Sequence, residues 1–135
     1  MNNTLRDVTY AILRIGTALL FIEHGLQKVF GWMGGFGAPG QPAELMSRFG
    51  FAGYLELVGG VLLIAGFLAR PVAAVLLLEM IIAFFMAHYP RGGWPVQNVG
   101  EIPLFYACVF AFLAAHGAGP YSVDEAMAGR PASSV

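Results

Sequence analysis

The 135-residue chain predicts an all-α fold: an integral membrane bundle of four antiparallel helices, with a short interfacial helix in the loop between the first two. Three observations lead there. Hydrophobic residues make up 58% of the chain and charged residues only 11%, against about a quarter charged in soluble domains, so a water-soluble globule of this composition would expose large apolar patches. Four stretches approach the roughly 20 mostly apolar residues that cross the hydrocarbon layer. The break before Pro71 is tight, which makes the second and third stretches a closely linked antiparallel pair, and the length suits a single domain.

The expected spans cover residues 8–30, 51–68, 71–89 and 100–117. The first starts somewhere between Leu5 and Tyr10. It is not read as a secretory signal, because Arg14 interrupts the apolar run, Glu23 and His24 follow, and no A-x-A cleavage site precedes Gly25. It is expected to stay on the mature chain. An even number of spans places both termini on one side.

The link over residues 31–50 is long and rich in glycine and proline. Within it, "PAELMSRFG" sets Pro42 at a helix start and Gly50 at its end, with Leu45, Met46 and Phe49 on one face. This predicts the interfacial helix, from Pro42 to Phe49. Beyond the fourth span, Ser122 and Glu125 have capping-box spacing, so a short helix is expected from Ser122 within a tail over residues 122–135. The closing "GRPASSV" reads as frayed.

Trp32, Tyr54, Tyr89 and Trp94 form an aromatic belt at one end, with Tyr10 and Tyr121 at the other. Arg6, Arg70 and Arg130 stand on the terminal side and Lys28, Arg48 and Arg91 on the opposite side, a tie under the positive-inside rule. The net charge of −1 argues against nucleic acid as a partner and against a polybasic lipid clamp. Cys108 is the single cysteine, which excludes an intramolecular disulfide or a cysteine-based zinc site; in its apolar run it reads as a small core residue.

Antiparallel topology brings the end of the first span, the start of the second, the end of the third and the start of the fourth to one membrane face. Glu23, His24, Gln27, Lys28, Glu56, His88, Arg91 and Glu101 gather there. A charged group at the bilayer centre costs about 2.5–3.5 kcal/mol on insertion scales, so such groups are functional candidates by default. Plainer roles compete. Lys28, Arg91 and Glu23 can snorkel to the headgroups, and Glu56 and Glu101 lie near helix N-termini that favour a carboxylate. His24 is harder to explain away, since it precedes Gly25, where a backbone or ligand can approach, and shares a helix face with Lys28. The candidate ligand-binding pocket is therefore His24, Gln27, Lys28, Glu56, His88 and Glu101.

Arg14 lies ten residues before His24 and Glu79 nine before His88, which puts both roughly 15 Å below the polar face. They are expected to form an intramembrane ion pair that fixes helix register more than it does chemistry. His116, followed by Gly117, is expected only to bond the last carbonyls of its helix. Two histidines and two carboxylates (His24, His88, Glu56, Glu101) have ligand chemistry for zinc or iron, but no H-x-x-x-H or E-x-x-H spacing supports it, and no metal site is assigned. Polar donors above an apolar channel also suit a quinone, with His24, Gln27 or Lys28 facing its head group.

These features together resemble the DoxX family of small four-helix bacterial membrane proteins, from about Tyr10 to Asp124. The likeness rests on Arg14 followed by "HGLQK" at His24 to Lys28, on "ELVGGVLLIAGF" from Glu56, "PVAAVLLLEM" from Pro71, "MAH" ending at His88, "EIPLFY" from Glu101 and "GAGPYSVD" from Gly117. Glu23 departs from the pattern, where an apolar or aromatic residue is expected before the His-Gly pair. The resemblance implies a multi-pass protein of the bacterial inner membrane. It further implies a membrane subunit of quinol oxidase or thiosulfate:quinone oxidoreductase complexes, or a role in oxidative-stress or catechol resistance.

Three readings follow. The first is a quinone-facing subunit of a redox complex, with quinone as the cofactor. The second is a non-catalytic subunit that positions other membrane or membrane-associated subunits, or further copies of itself, through small-residue faces at Gly59-Gly60 and Gly66. The third and weakest is a small-solute transporter. The chain has no haem-ligand pair at matched depth, no CxxC and no nucleotide fingerprint, so it is not expected to be a complete enzyme by itself.

Overall fold

Helix formation here follows the apolar runs, and the breaks follow specific capping groups. A computed structural model describes residues 3–129, all of whose regular structure is helical. The "GRPASSV" segment lies outside the described residues from Arg130 onward. Helix α1 (Asn3–Phe30) runs unbroken for 28 residues and ends at Gly31, whose φ of 71° lets the chain turn where an added Cβ would strike the backbone of Gly40. The loop folds back on that end, with Ala43 N–H donating to the Lys28 carbonyl at 2.7 Å.

The expected interfacial helix from Pro42 to Phe49 does not form. Ser47 is extended (φ −81°, ψ 161°) and its hydroxyl accepts the Gly50 N–H at 3.1 Å, so it caps a helix instead of sitting inside one. Arg48 and Phe49 thereby become the first turn of α2 (Arg48–Ala65), and Leu45 and Met46 stay exposed in the preceding turn. Gly66, at φ 66°, ends α2 with Gly66 N–H on the Leu63 carbonyl and Phe67 N–H on that of Leu62, a Schellman closure.

Leu68 precedes α3 (Ala69–Ala83) without a capping side chain of its own. Asp124 supplies the cap from across the fold, accepting Leu68 N–H at 2.8 Å and Ala69 N–H at 2.9 Å. Beyond Ala83 the helix widens into a π-turn (Phe84–His88) and tightens into a 3-10 turn (Tyr89–Arg91). A short α4 (Pro95–Asn98) precedes α5 (Glu101–His116), and α6 (Val123–Met127) follows Ser122, whose hydroxyl accepts the Glu125 N–H at 3.2 Å. His116 Nδ1 lies 3.0 Å from the Phe112 carbonyl within its own helix.

Helix α1 packs along α2 and α3 along α5, with α2 against α3 joining the pairs. Phe21, Leu63, Leu76, Phe110 and Leu113 form the packed centre. Large apolar side chains also cover the outside, among them Leu20, Val61, Leu78, Phe85 and Phe105. Cys108 is exposed on this outer surface, not in the core as its apolar run implied. Two helical stretches, Arg48–Ala65 and Ala69–Arg91, are long and apolar enough to cross a membrane. The apolar α5 is shorter, and α1 is longer but interrupted by charge.

Candidate functional site

Two glycines bring the site together. A Cβ on Gly25 would lie 2.7 Å from the Leu57 nitrogen and 2.9 Å from the Gly53 carbonyl oxygen, so the backbones of α1 and α2 touch there. A Cβ on Gly53 would lie 2.7 Å from the Lys28 Cβ. This contact lays the lysine stem along α2, and the Lys28 ammonium forms a short ion pair with Glu56 Oε1. Their side chains are only 15% and 2% exposed, a buried pair and not a headgroup-facing one. Glu56 stands in the third turn of α2, because that helix starts at Arg48, so its partner is the lysine and not the helix end.

Above this contact is a cavity of about 390 Å³. Helical periodicity selects its walls: Phe21, His24 and Lys28 on α1, Arg48, Ala52 and Glu56 on α2, and Glu79, Ala83 and Met86 along α3 and its π-turn. Pro103 and Tyr106 of α5 close the far side. The π-turn widens the helix on the wall that carries Met86, Ala87 and His88.

The polar groups differ in how they are held. Lys28 and Glu56 satisfy one another, apart from Glu56 Oε2, which is buried and unbonded. His88 is held by the loop: its Nδ1 lies 2.9 Å from the Asn98 carbonyl, so Nδ1 carries the hydrogen. Asn98 is itself buried, donating from Nδ2 to the Gly92 carbonyl at 2.6 Å and accepting Gly100 N–H at 2.7 Å. His24 and the Tyr106 hydroxyl, by contrast, make no hydrogen bond among the described residues. Their rings meet edge to face at 5.9 Å, and Tyr106 packs on Phe21 at 5.0 Å. Arg48 and Arg91 line the cavity while remaining exposed, so they form its rim.

Of the residues expected in the pocket, His24, Gln27, Lys28, Glu56 and His88 line it. Glu101 does not; as the first residue of α5 it stays exposed, where the helix N-terminus and solvent suit a carboxylate. Glu23 is likewise exposed and outside the cavity.

The expected Arg14–Glu79 ion pair is not formed. Glu79 shares the cavity with Phe21, whereas Arg14 lies seven residues earlier on α1, about 10 Å toward the other end. There the buried Arg14 guanidinium donates to the carbonyls of Ala118, Pro120 and Tyr121. Both oxygens of Glu79 are buried and have no hydrogen-bond partner among the described residues. Near-equal counts from His24 and His88 misled because the cavity spans Glu79 to Arg91 on one side and only Phe21 to Lys28 on the other.

Sequence reading overlooked Tyr106, Asn98 and Arg48. Asn98 carried a usable signal, a turn-forming amide just before a helix start; Tyr106 carried none beyond its period on α5.

Comparison with known proteins places these features in context. A model of the DoxX family matches residues 9–89. A protein of Haemophilus influenzae described only as uncharacterized is 38% identical over 134 residues, covering 93% of this chain and 96% of its own length. No solved structure matches significantly.

Proposed function

The chain belongs to the DoxX family, and from that premise we propose that it is a membrane subunit of a quinone-linked oxidoreductase or respiratory complex. In this reading α1, α2, α3 and α5 each cross the bacterial inner membrane, and the cavity receives a quinone head group. The observation that carries the reading is a cavity in an apolar helix bundle whose wall retains unbonded polar groups: His24, the Tyr106 hydroxyl and the carboxyl of Glu79. About 390 Å³ falls within the range of roughly 300–1,000 Å³ typical of small-molecule sites.

The outward apolar side chains suit contact with lipid, and the charges of α1 that lower its hydropathy turn inward at Arg14 and Lys28. A bound quinone supplies reversible two-electron, two-proton chemistry, and the protein supplies binding and orientation. Tyr106 and Met86 offer apolar surface to a flat head group. His24 and the Tyr106 hydroxyl offer hydrogen bonds to its oxygens. Lys28 and Glu56 hold a fixed charge pair beside it, and the electrons come from a partner subunit.

A purely positioning subunit loses its main support. Gly59 packs against Leu76, Gly60 against Ile22 and Gly66 against Ser122, so these small-residue faces are occupied by the chain itself.

Protein purified from native membranes is expected to carry extractable quinone, with a partner subunit co-purifying. His24→Ala should lower the retained quinone severalfold and leave the folded yield nearly unchanged, since that side chain makes no hydrogen bond among the described residues. Protein free of quinone would reject the reading. So would a His24→Ala variant that loses thermal stability yet keeps its quinone.

A further inference from the structure

Glu79 is 9% exposed, lines the cavity, and has no partner for either carboxyl oxygen among the described residues. The cations that offer themselves are engaged elsewhere: Lys28 with Glu56, and Arg14 with three backbone carbonyls. The polar groups that share its cavity are His24, Gln27 and Lys28 on α1, Arg48 and Glu56 on α2, Tyr106 on α5, and His88 and Arg91 beyond the end of α3.

An unpaired carboxylate in such surroundings is costly, so the charge must be removed by a proton or offset by a cationic ligand. Arg48 and Arg91, exposed on the cavity's lining, disfavour a cationic ligand there. A second carboxylate, Glu56, already holds Lys28, the cation most enclosed among the described residues that line the cavity. A proton is the compensation these surroundings favour.

We propose that Glu79 acts as a neutral acid that donates its O–H to the carbonyl-type oxygen of an uncharged ligand with an apolar body, and so selects neutral hydrogen-bond acceptors over cations. This inference rests on the quinone reading for its ligand class and adds the residue that recognises the ligand oxygen. Glu79 is a binding residue here; no proton leaves it in the bound state.

The test uses the full-length protein in lipid nanodiscs, with decylubiquinone as the neutral probe and tetraphenylphosphonium as the apolar cation. E79Q keeps an N–H donor of the same shape, whereas E79L keeps bulk and loses the donor. E79Q is expected to bind decylubiquinone nearly as the unaltered protein does, and E79L to bind roughly 3- to 10-fold more weakly, the worth of one hydrogen bond. Infrared spectra of the ligand-free protein should contain a protonated-carboxyl C=O band that disappears in E79Q and shifts in the unaltered protein when decylubiquinone is added.

Absence of that band overturns the proposal, even where E79L fails to fold. Unweakened binding by E79L overturns it while leaving the quinone reading intact. Equal loss in E79Q and E79L, together with tetraphenylphosphonium binding to the unaltered protein, would replace the neutral acid by a cation-binding carboxylate. No decylubiquinone binding by the unaltered protein overturns both the proposal and the quinone reading.

Discussion

Lys28→Met is expected to destabilise the protein by about 3–5 kcal/mol, the usual cost of removing one partner from a buried ion pair. The lysine stem is held against Gly53 and its ammonium meets a carboxylate that is almost fully enclosed. Without the lysine, Glu56 joins Glu79 as a second buried carboxyl group that no cation meets. The double variant Lys28→Met/Glu56→Leu should recover most of the loss, because apolar groups of similar volume replace a buried pair at little net cost. Thermal unfolding of the four proteins of this cycle in detergent measures the coupling. Strictly additive losses would show that the pair does not act as a unit.

Arg14→Met should have an effect of similar size at the opposite end. One guanidinium holds the segment that follows α5, through the carbonyls of Ala118, Pro120 and Tyr121. Hydrogen bonds to a charged group are each worth about 1.5–3 kcal/mol, and the loss leaves buried carbonyls unpaired. The damage should spread, because the same segment carries Asp124 to the start of α3. Amide exchange over residues 117–127 and at Leu68 and Ala69 is expected to accelerate together. Arg14→Lys, with fewer donors and no planar fork, should recover only part of the protection. Exchange unchanged at Leu68 and Ala69 would mean that the cap on α3 stands without Arg14.

The helical class and the broad positions of the long helices were legible because apolar runs of this length leave the backbone few other ways to satisfy its hydrogen bonds. What the sequence hid was partnership. A single carboxylate in "LLLEM" announces burial, yet nothing in it says whether an arginine, a proton or a ligand answers it. Depth counted from two histidines failed as a guide because the cavity reaches further along α3 with its π-turn and 3-10 turn than along α1. The short helix expected from Pro42 was lost to one hydroxyl, since Ser47 served as an outer cap where a place inside the helix was expected. Gly25 was correctly suspected of permitting close approach, and the group that approaches is the backbone of α2. Gly59 and Gly60 looked like docking faces because sequence does not distinguish packing within a chain from packing between chains.

The most direct test of the central idea, that the cavity between the helices receives a quinone head group, is photolabelling in native membranes with an azidoquinone, followed by peptide mapping. Labels on Met80, Met86 and Tyr106, which line the cavity, are the expected result, with labelling suppressed by excess decylubiquinone. Labels confined to the outer residues Leu78, Phe85 and Phe105, and insensitive to competition, would contradict it and reduce the quinone to a lipid-phase neighbour.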